Sequence, residues 1–395
     1  MSLLEKLDTA AAARKAQLPD GLGAFGIPIE ETYSATEARI GGRRVLMLGT
    51  NNYLGLSFTP ECRQAAHQAI DQEGTGTTGS RMANGNYSGH RALEKEFAEF
   101  YQCRACIVFT TGYQANLGTI SGLVGAGDVV LIDGDAHASI YDGCILSGAD
   151  IIRFRHNDMV DLEKRLRRLG ERSRNTLIIV EGIYSMLGDQ APLAEIVKLK
   201  NAYHSTLLLD EAHSLGVLGA TGQGLVEKTG LIKEVDFITG TFSKSLCGIG
   251  GFCVSNHPQL DQLRYVSHPY IFTASPSPAT IASTRAALKL LRDGQLLRER
   301  LWRNAQHLYA SLKEMGYQVG PEPGPIVAIM LDSPQQALAL WNGLMADDIY
   351  VNLVLPPAAP DGKSLVRCSI NAAHSLEQID RVCETFSRLY ASLER

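Results

Sequence analysis

Short apolar runs recur along this chain, each followed by a turn and then a helix-like stretch. Residues 105–109, 129–132, 151–154, 177–180, 206–209, 235–238 and 251–254 read as buried strands. Between them, helical spacing appears: Leu93, Phe97 and Phe100 share one face, and Leu162, Leu166 and Leu169 mark a helix opened by Asp158. Residues 191–203 continue the alternation. Strands alternating with helices predict a largely parallel sheet, covered on both faces and joined by right-handed crossovers. After Ser275 the pattern changes. Pro276 and Pro278 precede long helical runs, 279–291 and 296–315, and then strands at 326–331, 350–354 and 365–370. The chain opens with a helical segment, a proline-bearing linker, a polar hairpin around Gly41-Gly42, and a strand at 44–48. The expected organisation is an arm (1–45), a large α/β domain (46–275) and a smaller α/β domain (276–395).

Composition narrows the class. The chain has 395 residues, 45% of them hydrophobic and 20% charged, which suits a globular protein with a large core. A net charge of −5 gives no general nucleic-acid role. The richest basic run is Lys164, Arg165, Arg167, Arg168, Arg172 and Arg174, interrupted by Glu163 and Glu171. It reads as a solvated helix face, with contact to an anionic membrane surface or an acyl carrier as the second reading. Eight cysteines in so long a chain do not form a disulfide scaffold. No apolar run nears the roughly 20 residues that span a bilayer, and no secretory leader is seen. The expectation is a reduced, cytoplasmic protein.

The chemistry concentrates in two stretches. The first is Gly240-Thr241-Phe242-Ser243-Lys244-Ser245, just after an apolar strand. An amine there forms a Schiff base with a carbonyl cofactor. Thr241 and Ser243 suit a phosphate, because hydroxyls and loop amides donate to anions. Taken alone, the stretch reads equally well as a turn with a surface lysine. The second is Asp210-Glu211-Ala212-His213, at the end of the strand 206–209. Ligands bind at the carboxyl ends of strands in such folds. Asp210 fits the acid that a pyridine nitrogen requires, although a helix cap is its plainer role. The pair of stretches is far more specific than either half.

Two decoys are set aside. Gly74-Thr75-Gly76-Thr77-Thr78-Gly79 matches a dinucleotide fingerprint but follows a helix-like segment, where the fingerprint must follow a strand. Cys103-x-x-Cys106 has no second pair at zinc spacing and reads as packing, so no metal site is expected.

These stretches resemble the α-oxoamine synthases, pyridoxal-phosphate enzymes of fold type I. The likeness runs from about Leu46 to Ala373. It is carried by Gly79-Ser80-Arg81, Asp135-Ala136-His137 through Gly143, Phe154-Arg155-His156-Asn157, Glu181-Gly182-Ile183-Tyr184-Ser185 through Asp189, Gly240 through Ser245, and Pro269-Tyr270-Ile271-Phe272-Thr273-Ala274-Ser275. The Thr-Phe-Ser-Lys-Ser form and the stretch around Thr273 resemble the bacterial branch that acylates L-serine.

The resemblance implies site roles. Lys244 holds pyridoxal 5′-phosphate as a Schiff base and, once freed, removes the amino-acid Cα proton. Asp210 keeps the ring nitrogen protonated, and His213 bonds the ring hydroxyl. His137 stacks on the ring. Gly112, Tyr113, Ser185, Thr241, Ser243 and Thr273 complete the cofactor site, with Thr273 reaching the neighbouring subunit of a homodimer. Asn52, Tyr53 and Arg367 bind substrate; a guanidinium fork suits a carboxylate. The implied reaction joins L-serine to a long-chain acyl thioester such as palmitoyl-CoA, or an acyl carrier protein thioester. It releases carbon dioxide and yields 3-ketodihydrosphingosine, the first step of sphingolipid synthesis. One departure stands out: Leu355 precedes Pro356-Pro357, where that branch carries a loop arginine. Sister activities are 8-amino-7-oxononanoate synthase, 2-amino-3-ketobutyrate ligase, 5-aminolevulinate synthase and autoinducer synthases. A non-catalytic scaffold subunit of this family lacks the lysine that stands here at 244. An aminotransferase or lyase on the same fold is the third alternative.

Overall fold

The structure is a computed structural model that describes residues 2–17, 22–356, 359 and 362–393. In chain order the elements begin with α1 (Leu3–Gln17), β1 (Glu31–Thr32), β2 (Glu37–Ile40) and β3 (Arg43–Met47). Next come α2 (Pro60–Glu73), α3 (Ser88–Phe100), β4 (Ala105–Phe109), α4 (Gly112–Leu123), β5 (Val129–Asp133), α5 (Ala138–Ser147), β6 (Asp150–Phe154) and α6 (Met159–Leu169). Then follow β7 (Thr176–Glu181), α7 (Leu193–Tyr203), β8 (Thr206–Asp210), α8 (Leu225–Thr229), β9 (Phe237–Thr241), β10 (Gly251–Ser255), α9 (Leu263–Val266), α10 (His268–Ile271) and α11 (Pro278–Arg292). The chain ends with α12 (Gln295–Glu314), β11 (Gln318–Val319), β12 (Ile326–Leu331), α13 (Pro334–Ala346), β13 (Ile349–Tyr350), β14 (Asn352–Val354), β15 (Ser364–Ser369) and α14 (Leu376–Leu393).

Contacts gather the chain into two compact units: residues 51–185 with 189–299, and residues 1–50 with 186–188 and 300–395. This division differs from the expected arm and two domains at both ends. Helix α11 stays with the first of these units, because it packs along α2 and α3, and Arg285 bonds Glu96 at 2.6 Å. The opening segment joins the C-terminal residues: β3 pairs in parallel with β13, Leu46 opposite Ile349.

The larger unit is built on a seven-stranded sheet in the order β4-β10-β9-β8-β7-β5-β6. All pairs are parallel except those made by β10, which runs antiparallel to both neighbours. Strands β5 and β7 are buried at every residue. That explains their unbroken apolar runs, since a parallel sheet is covered on both faces. Ile107, Ile132, Ile140, Ile179 and Leu208 belong to the core beside it. The helices open as their caps dictate: Thr111 caps α4 through Gln114 N at 3.0 Å, and Asp158 caps α6 through Asp161 N at 2.9 Å.

The smaller unit holds two four-stranded sheets, β1-β2-β3-β13 and β11-β12-β15-β14. The single strand expected at 350–354 is split between them at Val351. Tyr350 pairs with β3, and Asn352 pairs with Arg367 of β15.

Candidate active site

Four parallel strands deliver polar residues to one edge of the seven-stranded sheet. Asp133 ends β5, Glu181 ends β7, Asp210 ends β8 and Thr241 ends β9. The register sets Glu181 directly beside Asp210. A cavity of about 280 Å³ opens there, in the place where open α/β sheets bind ligands.

One end of the cavity is built for an anion. Thr111, Gly112 and Tyr113 form the first turn of α4, where backbone amides lack helical partners. The Thr241 hydroxyl lies 2.9 Å from that of Ser243 and donates to Gly250 O at 3.0 Å. The backbone approaches closely here. A Cβ on Gly112 would meet Thr241 Cβ at 2.6 Å, and one on Gly251 would meet Gly112 Cα at 2.6 Å.

Lys244 projects from a tight turn. Cys247 N donates to Lys244 O, Gly248 N to Phe242 O, and Phe242 N to Gly250 O. Phe242 stacks on Phe97 and Phe252, and Ser245 Oγ donates to Leu215 O at 2.6 Å. The lysine is therefore carried by a base anchored on both sides. Cys247 takes a left-handed φ of 53°, unusual for a residue other than glycine.

The opposite end is acidic and tightly bonded. Asp210 Oδ1 accepts from Ala212 N at 2.8 Å, and its Oδ2 accepts from Asn116 Nδ2 at 2.7 Å. Asn116 is itself held by Thr239 Oγ1 at 2.8 Å. The His137 imidazole meets Ser139 Oγ at 2.8 Å and lies edge-on to Tyr113. Burial pushes its pKa down, Asp210 opposes the fall, and Lys244 adds to it. Burial, and then the charge of Asp210, push the Glu181 carboxyl well above the usual range. His213 Nδ1 meets the Tyr53 hydroxyl at 2.8 Å.

Of the residues expected at the site, Gly112, Tyr113, His137, Asp210, His213, Thr241, Ser243 and Lys244 line this cavity together. Tyr53 joins at one remove through His213. Asn52 lies by the lysine turn, its Oδ1 2.7 Å from Cys247 Sγ. Thr273 accepts from Gln114 Nε2, on the first turn of α4, at 3.2 Å. Ser185 sits on the turn after β7 and is not among the residues lining the cavity. Arg367 is buried in β15 of the other compact unit. Leu355 and Pro356 follow β14, and Pro357 lies outside the described residues. Thr111, Asn116, Ser139 and Glu181 line the cavity without having been expected there. Position signals two of them: Asn116 follows Gly112 by one helical turn, and Ser139 follows His137 by two residues.

Residues 43–386 match the family described as aminotransferase class I and II. The chain belongs to this family. It is also 52% identical over 393 residues to a serine palmitoyltransferase of Caulobacter vibrioides, covering 100% of this chain and 97% of the relative. Identity is 46% over 387 residues to a serine palmitoyltransferase of Sphingomonas paucimobilis, covering 97% and 92% of the two chains. Among solved structures, SPT with a PLP internal aldimine superposes with a TM-score of 0.96 at 44% identity, covering 100% of both chains. The family and these neighbours share the fold-type I architecture seen here, a mostly parallel sheet between helices.

Proposed function

We propose that this chain is a pyridoxal-phosphate-dependent acyltransferase that joins L-serine to a long-chain acyl thioester. One observation carries the reading: an amine, an acid held by a donor at each oxygen, a flanking imidazole and an anion cradle share a single cavity. The cavity suits the cofactor. Gly112 and Gly251 let the start of α4 pack against Thr241, where a Cβ would clash, and this sets helix-start amides beside the Thr241 and Ser243 hydroxyls, as an anion requires.

Gly112, Tyr113, Thr241 and Ser243 would hold the phosphate, with Thr273 contributing from the neighbouring subunit of a homodimer. Asp210 would face the ring nitrogen, His213 the ring hydroxyl and His137 one face of the ring, with Ser185 a further cofactor-binding candidate. When bound, the cofactor supplies a carbonyl carbon for an amine and a ring that accepts electron density. Lys244 moves the proton from the amino-acid Cα; such general-base work is typically worth about 10²–10⁴-fold. Asp210, held by two donors, would keep the ring nitrogen protonated. Tyr53 holds the His213 ring in place through a hydrogen bond at Nδ1. Asn52 and Arg367 would bind substrate, the guanidinium taking the carboxylate. The new bond joins serine Cα to the acyl carbon; the thiol and carbon dioxide leave.

With palmitoyl-CoA the product is 3-ketodihydrosphingosine, the opening step of sphingolipid synthesis. A cytoplasmic enzyme meeting its acyl donor as a thioester, or at a membrane surface, fits the composition. No described helix is long and apolar enough to cross a membrane. The test is mass spectrometry of products after incubation with serine, alanine, glycine or threonine and a panel of coenzyme A and carrier-protein thioesters. Serine with palmitoyl thioester should give the 3-keto amino alcohol and equimolar free thiol. Turnover with alanine or glycine alone would reassign the chain to a sister activity such as 8-amino-7-oxononanoate synthase. Keto-acid product without thioester consumption would point to an aminotransferase.

A further inference from the structure

Two carboxyl groups stand side by side at the end of the sheet, and the reaction as read above uses only one. Glu181 and Asp210 occupy paired positions on parallel neighbours β7 and β8, so their side chains leave the sheet on the same face. Both are buried, with exposures of 2% and 4%. Their donors differ. Asp210 accepts from Ala212 N and Asn116 Nδ2, one at each oxygen. Two such bonds stabilise a carboxylate. Glu181 Oε1 accepts from the backbone amide of His137 at 2.5 Å. That amide belongs to the residue capping α5, whose Nδ1 also accepts from Ser139 N at 3.2 Å. Glu181 thus holds the backbone of the residue whose ring lines the cavity.

Like charges in one buried place do not both ionise. The charged groups around Glu181 are Asp210, Asp133 and Lys244, with His137 beside it. Asp210, with a donor at each oxygen, is the better stabilised anion. We propose that Glu181 is a positioning residue for His137: an uncharged carboxylic acid whose carbonyl oxygen takes the His137 amide, setting the imidazole in the cavity without a second negative charge beside Asp210. Burial and the neighbouring Asp210 charge act in the same direction and outweigh the His137 amide bond and the Lys244 charge, which favour the ionised form. The inference deepens the functional reading above and rests on it for what His137 does, but not for the protonation of Glu181.

Infrared difference spectroscopy on the purified protein, with and without cofactor, tests the protonation directly. The carbonyl stretch of a protonated carboxyl group should be present at neutral pH and vanish in Glu181→Gln. Buried Glu211, raised to about 7, can add a band of its own, so the loss on substitution decides: no carboxyl band in the parent protein, or a band undiminished in the variant, would overturn the assignment whether or not the protein condenses serine. Kinetics then test the positioning. Removing the acceptor in Glu181→Ala should lower kcat/KM roughly 10- to 100-fold, the scale of an ångström-sized misplacement, and shift the His137 imidazole resonances. Glu181→Gln, which keeps an acceptor and stays neutral, should recover most of that loss and return those resonances toward their original positions. A Gln variant as impaired as the Ala variant would mean that the site needs a charged carboxylate, and the proposal would fail.

Discussion

Two histidines lie at the same end of the seven-stranded sheet, each half-sheltered and each next to carboxylates, yet the protein treats them in opposite ways. His137 bonds a hydroxyl, Ser139 Oγ, and burial takes its pKa down. His156 is also disfavoured as a cation by burial. Its two nitrogens, however, bond Asp133 at 2.8 Å and Asp189 at 2.6 Å, and these raise its pKa to about 10. The difference lies in the partners. A hydroxyl asks for either tautomer, whereas a carboxylate on each nitrogen asks for an imidazolium. The first arrangement leaves a ring available at a cavity wall. The second makes a fixed clasp: Asp133 also takes Asn157 N, and Asp189 takes Asn157 Nδ2. One cluster is suited to chemistry, the other to holding the turn that follows β7.

The sharpest way to break this contrast is at the cavity lysine. Lys244→Ala should cut turnover by at least about 10²–10⁴-fold, read as free thiol released, while the thermal midpoint stays within a few degrees. A variant that keeps its rate would remove the cavity from the chemistry. At the clasp the expected losses reverse. His156→Ala leaves Asp133, fully buried, and Asp189 without their shared cation. Breaking a buried pair in this way costs about 3–5 kcal/mol, to be read from urea unfolding of the protein.

The pH dependence sharpens the comparison further. A histidine free in the unfolded chain titrates near 6.5, and His156 in the folded chain near 10. Its contribution to stability is therefore complete below about pH 6.5 and declines as the pH rises toward 10. Unfolding midpoints measured across that window should fall in the parent protein and flatten in His156→Gln. Identical slopes would show that the ring carries no extra proton. The smallest effect is expected at Asn157, which sits at a left-handed φ of 51° and bonds Asp189 Oδ2 and Gln190 O. Asn157→Gly keeps the backbone conformation and loses the side-chain bonds. It should cost about 1 kcal/mol, with unchanged affinity for the amino acid.

Much of this is legible in the sequence. Runs such as 129–132 and 206–209 are too short for helices and too apolar for loops, so strands were the natural reading, and β5 and β8 lie there. Lys244, Asp210 and His137 belong to stretches whose residue types are costly unless used, and all three line one cavity. Glu181 and Asn116 were harder. Each residue type is ordinary: Glu181 acquires its place from pairing opposite Asp210, and Asn116, one helical turn after Gly112, acquires its role from bonding Thr239 and Asp210 at once. The direction of β10 was equally hidden, since an apolar run reads the same in either sense.

What the chain alone determined is the set of elements and the reactive side chains, because periodicity, caps and turn residues act over a few positions. Tertiary structure decided which strand lies beside which, and with that the cleavage of 350–354 between two sheets and the grouping of residues 1–50 with 300–395. It also decided that Glu181 lies beside Asp210 and holds the His137 amide. Those outcomes depend on the burial and neighbours of groups far apart in sequence, such as Asn116 and Asp210, and no local pattern encodes a dielectric environment.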